Sequence, residues 1–126
     1  MFKFIRSGPP LTPTNASGKQ FDFGQISSYR IRQIWLSSTI NIPSDMYVSG
    51  DLYLVLILTG AGINYYTVAK ATNSVPGDND ISDGTIGFLA SLDVFTSGGS
   101  INLVAIPGSF VSFTNSNYAV LGVEEL

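Results

Sequence analysis

Apolar runs along this chain are short and bounded by Gly, Pro, Asn, Asp and Ser, and several of them alternate apolar with polar positions. A period of two puts alternate side chains on one face of a strand. The pattern therefore predicts β-structure from residue 21 onward and no helix longer than a turn. Tyr29 to Leu36 shows the period and a break in it. Tyr29, Ile31, Gln33 and Trp35 share one face, and Arg30, Arg32, Ile34 and Leu36 share the other. Each face changes character partway along, which means either a bulge or a strand buried at one end and exposed at the other.

Leu52 to Leu58 is apolar at every position. The run is too short for a buried helix, and Gly-Asp and Gly-Ala-Gly flank it, so it reads as a strand covered on both faces. In an antiparallel sheet one face normally meets solvent. A second cover is then needed, and another chain would supply it. Gly60-Ala61-Gly62 predicts a tight hairpin returning through Ile63 to Lys70. Residues 73–84 form the longest predicted loop. Further strands are predicted at Thr85–Phe95, Ile101–Ile106, Ser109–Thr114 and Tyr118–Val123, the last two parted by Asn115-Ser116-Asn117. Turn signals at this spacing indicate an all-β domain: a single antiparallel β-sandwich, jelly-roll-like, with Greek-key connections. Residues 1–20 read differently. Three prolines and two glycines in 7–20 predict an extended Pro-rich arm, with Phe2, Phe4 and Ile5 as an apolar start that either packs on a neighbouring subunit or forms an edge strand of the domain itself; Pro cannot donate to a ladder, so 9–13 is excluded from any central strand. The expected organisation is an arm over 1–20 and a β-domain over 21–126.

Composition changes this picture in one respect. Of 126 residues, 44% are hydrophobic and only 12% charged, about half the charge of an average soluble domain. The surface must then be neutral, or partly covered by partners. The charges are also segregated. Lys3, Arg6, Lys19, Arg30 and Arg32 face only Asp22 in the first 32 residues, while Lys70 alone stands against eight acidic residues in the rest. That separation fits a basic docking arm, or head-to-tail contacts between copies.

The candidate chemistry is thin. The sequence contains no His and no Cys, which excludes disulfides, Cys/His zinc sites and imidazole-assisted catalysis. Asp45, Asp51, Asp93, Glu124 and Glu125 are the carboxylates available for glycoside hydrolysis, but nothing in the sequence brings two of them together. Asp78, Asp80 and Ser82 place oxygens at alternate positions of the long loop and, with Asp83, make a weak calcium candidate. Asp83 stands where a helix-loop-helix calcium loop needs Gly, and Leu89 where it needs the bidentate Glu. No other cofactor is expected. Among the aromatics, Trp35 and Tyr66 are the candidate sugar-stacking rings. Two arginines on one strand in an acidic chain do not make a nucleic-acid stripe, and no apolar run has the length of a signal peptide or a membrane span.

Few charges, a surface of Ser, Thr, Asn and Gly, one compact β-domain and an arm give this chain a general character that resembles small phage capsid-decoration, fibre and jelly-roll capsid proteins. The resemblance is compositional and carries no diagnostic motif. It implies a non-enzymatic structural protein of a virion that contacts copies of itself and other virion proteins, a trimer being favoured, with no nucleic acid or membrane bound directly. Leu52, Leu54, Leu56 and Leu58, with Phe2 and Phe4, are the expected oligomer interface. The alternative is a carbohydrate-binding β-sandwich module used in host-surface recognition.

Overall fold

In the computed structural model the described residues are 2–8, 11–15, 18–41, 53–72, 85–107 and 112–126. They form nine strands: β1 Phe2–Arg6, β2 Leu11–Asn15, β3 Gly18–Ile26, β4 Tyr29–Asn41, β5 Tyr53–Gly60, β6 Ile63–Thr72, β7 Thr85–Phe95, β8 Gly99–Pro107 and β9 Ser112–Glu125. All belong to one antiparallel sheet in the order β1-β9-β4-β7-β6-β5-β8-β3-β2. The sheet comes close to closing on itself as a barrel. Across the seam, Gly8 N–H donates to the Asp22 carbonyl of β3 at 3.2 Å. The expected pair of packed sheets is thus replaced by a single continuous one. The two arrangements share the same inward–outward alternation along every strand, which is why the pattern did not separate them.

The expected arm is drawn into the sheet. β1 lies along β9, with Phe2 opposite Glu124 and Arg6 opposite Val120. β2, which contains Pro13, takes the outermost position beside β3. An edge tolerates a residue with no N–H to offer, so the proline constrained the strand's place rather than its existence.

The core is built from alternate residues of facing strands. Leu54, Leu56 and Leu58 of β5 lie fully inside with Leu103 of β8, Phe21 of β3, Ile31 and Leu36 of β4, and Leu121 of β9. The phase shift in β4 is a register irregularity between Ile31 and Gln33, seen against both β7 and β9. It returns the apolar residues to one side, so Tyr29, Ile31, Ile34 and Leu36 are all buried. The turn formers 115–117 do not end a strand: β9 runs through them, and the pairing slips at Ser37/Ser38 and Thr39/Ile40 of β4 instead. Ala61-Gly62 forms the two-residue hairpin loop, with φ of 49° and 82° and Gly60 paired to Ile63. These are the left-handed angles of a type I′ turn, whose twist matches the flanking strands. Pairing between β6 and β7 is partial. Their ladder covers Lys70–Thr72 against Gly87–Leu89, and at the other end Ser97 N–H donates to the Ala61 carbonyl at 2.9 Å. Along that stretch the inward-facing Ile63, Tyr65 and Thr67 are only half-buried.

Candidate functional site

Each strand that buries one face leaves the other outside, and two regions of the described outer surface carry clustered apolar side chains. The first lies over β1, β9 and β4. Phe2, Phe4 and Arg6 alternate outward from β1 and are exposed. The Phe2 and Phe4 rings meet edge-on at 5.3 Å, and Phe4 meets Trp35 at 5.5 Å and 67°. Trp35 packs in turn on Tyr118 and Val120, which are buried although they lie outside the core. The Arg6 guanidinium stacks 3.8 Å from the Tyr118 ring centroid, a favourable cation–π geometry. Gly122 lies beneath this cluster. A Cβ there would stand 2.9 Å from Phe2 Cζ and 3.0 Å from Trp35 Cζ3, so the rings settle over the strand only because it has no side chain at that point.

Beside the aromatics lies a network of ion pairs. The Arg30 guanidinium grips Asp93 with two hydrogen bonds, at 2.7 and 2.8 Å, and lies 3.6 Å from Glu124. Arg32 reaches Glu124 at 3.2 Å, and Lys3 reaches Glu125 at 3.6 Å. Arg30 holds the Asp93 carboxyl below its ordinary value. The Tyr29 side chain and then Glu125 raise the Lys3 ammonium. Three basic residues of the front, Lys3, Arg30 and Arg32, thus meet three acids of the body, Asp93, Glu124 and Glu125, within one chain, because β1 and β4 pair with β9 and β7. This also bears on the carboxylates considered for hydrolysis. Asp93 and Glu124 come together around Arg30, but a general acid needs a raised carboxyl, and Asp93 is shifted the other way.

The second region lies over β6, β5 and β8. Register partners share a face, so Val68, Val55 and Ile106 form one row and Tyr66, Ile57 and Val104 the next. Tyr53 and Lys70 continue the grid at one end, and Asn64, Thr59 and Asn102 close it with a polar row at the other. Tyr66 is 63% exposed and Val68 47%. The β5 and β8 members are half-buried against one another. Six apolar side chains thus stand side by side with one charge, Lys70, at the margin.

These positions revise the residues named from the sequence. Leu54, Leu56 and Leu58 are at most 1% exposed: they fill this chain's own core, and an interface on β5 would use the alternate residues Val55 and Ile57. Leu52 lies outside the described residues, as do Asp78, Asp80, Ser82 and Asp83. Phe2 and Phe4 are at the surface, 42% and 52% exposed. Trp35 and Tyr66 do not form one platform. Trp35 is capped by Phe4 over β4, while Tyr66 stands on β6, with β7 between the two strands. The row of Val55, Val68 and Ile106 was missed because the apolar–polar period of β6 and β8 does not say which strands lie next to β5. The run at 52–58 was the one signal that could have found it.

Among the described residues, no group of three or more acidic side chains could hold a metal ion, and no helix is long and apolar enough to cross a membrane. No family model matches the chain, and no curated protein matches it in sequence.

Proposed function

We propose that this protein is a non-enzymatic structural subunit that assembles with copies of itself through the outer face of β6, β5 and β8, and that its setting is a virion, as a capsid, capsid-decoration or fibre component. The observation that carries the reading is the two-row apolar grid on that face. A subunit interface is organised in this way, with an apolar centre, few charges and a polar rim. The low charge of the whole chain and its Ser-, Thr-, Asn- and Gly-rich surface support the virion setting. Other virion proteins would be its further partners. Apolar burial contributes about 25 cal/mol per Å², so contacts of this kind hold without ion pairs and respond weakly to salt.

Light scattering of the purified chain tests the reading. The expected result is a mass that is a multiple of 13.5 kDa, unchanged from about 0.1 to 1 M salt, and reduced to the single-chain value by Ile57→Asp. A 13.5 kDa species at every concentration would refute it. So would an assembly that modest salt dissolves.

A further inference from the structure

We infer that β1 is an exchangeable strand, which leaves its own barrel and completes the barrel of a second copy. The inference rests on the reading of this chain as a self-assembling subunit and adds a second means of contact to it.

Four observations carry it. β1 lies at an edge of the sheet and is short, pairing over five positions with β9. Ile5 is only partly buried against the core and Lys3 reaches out to Glu125, while Leu121 and Val123 of the neighbouring β9 are fully buried. The core therefore depends little on which copy supplies β1. The seam between β1 and β3 is bridged by the Gly8 N–H to Asp22 carbonyl bond. Pro9 and Pro10 follow at once in the sequence and have no N–H with which to extend the ladder.

The occupant follows from the site itself. The surface of β9 that β1 covers is shaped by Gly122, which admits the Phe2 ring beside Trp35, and by Tyr118, which takes Arg6. The segment that reproduces those contacts is the β1 of another copy. Exchange between identical chains keeps every contact and changes only its parentage.

Ser7 sets how fast this happens. It is buried immediately after β1; its N–H donates to the Ala119 carbonyl at 2.8 Å, and its hydroxyl accepts from Ala119 N–H at 2.9 Å. This pair of hydrogen bonds to β9 must open before β1 can leave. Because it re-forms in the exchanged state, Ser7→Ala should speed exchange about tenfold and leave the final proportion of exchanged chains unchanged.

The chain has no cysteine of its own, which makes the test clean. Phe2 and Glu124 are register partners. Two variants, Phe2→Cys and Glu124→Cys, are mixed, incubated and mildly oxidised. Disulfides between unlike chains should exceed those between like chains several-fold. The assembled fraction of the double variant Phe2→Cys/Glu124→Cys should run as covalent multimers on a denaturing gel. Unlike and like disulfides in statistical proportion would overturn the exchange and leave assembly standing, as would an assembled double variant that runs as closed single chains. Absence of any species above 13.5 kDa would overturn both.

Discussion

Over β1, β9 and β4, the outward side chains of this barrel have partners in their own chain: Phe4 meets Trp35, Arg6 covers Tyr118, and Arg30 grips Asp93. Over β6, β5 and β8, Val55, Ile57, Val104 and Ile106 have one another and two exposed neighbours, Tyr66 and Val68. One sheet with one alternation thus produces a face whose side chains pair with others of unlike kind, although Phe2 and Phe4 stay exposed, and a face whose apolar side chains meet only one another. The difference lies in composition at matched positions. The first face draws on aromatics and opposite charges, which can pair within a chain. The second draws on β-branched residues, which pack flat and leave their tops bare. An exposed apolar surface of this kind on a charge-poor protein is what association would cover.

The comparison can be broken most forcefully on β5, where neighbouring residues belong to different regimes. Leu56→Ala should destabilise the folded chain by about 2–5 kcal/mol in denaturant unfolding, because it empties part of a closed core. Ile57→Ala, one residue along, should change the stability of the single chain by less than about 1 kcal/mol and yet weaken assembly about tenfold or more in dilution experiments. Equal effects of the two on single-chain stability would remove the distinction between the faces.

On the first face, Gly122→Ala should lower stability by about 1–3 kcal/mol through overpacking. Much of that loss should disappear in a Phe2→Ala background, since Phe2 Cζ is the nearest obstacle to a new Cβ. A cycle of the two variants by thermal melting measures the coupling, and full additivity would contradict the packing described. The smallest effect is electrostatic. Asp93 is held below its ordinary value of 3.8 by Arg30. The pair therefore stabilises the fold above that value and is lost as pH falls through the lowered one. Both side chains are exposed, so Asp93→Asn should lower the melting temperature only slightly at neutral pH, should lose its effect in strong acid, and should be muted by salt.

Much of the fold was legible in particular residues. The mixed faces of Tyr29–Leu36 allowed a bulge in β4 without placing it, Gly60-Ala61-Gly62 announced the hairpin, and the period of two announced an all-β chain. Closure into one sheet was not legible, because alternation records which side a residue faces and not what lies across the core. Strand order was hidden for the same reason, and with it the pairing of Arg30 with Asp93, 63 positions apart. The run at Leu52–Leu58 called for two covers, and the fold supplies one of them, this chain's own core. Its leucines were assigned to the wrong one, since a strand that is apolar throughout does not reveal which parity turns inward. Pro13 and its neighbours spoke against a central strand and were read as an arm; an edge strand satisfies the same chemistry.

Tyr66 offers the most direct test of the central claim, that the face over β6, β5 and β8 is covered by another copy. Its ring is 63% exposed on the single chain, so a free surface would leave it open to a tyrosine-modifying reagent. Site-resolved nitration of the native protein should find Tyr66 protected at concentrations where the assembly forms, and reactive in Ile57→Asp. Reaction of Tyr66 at the same full rate in the native protein and the variant would contradict the account.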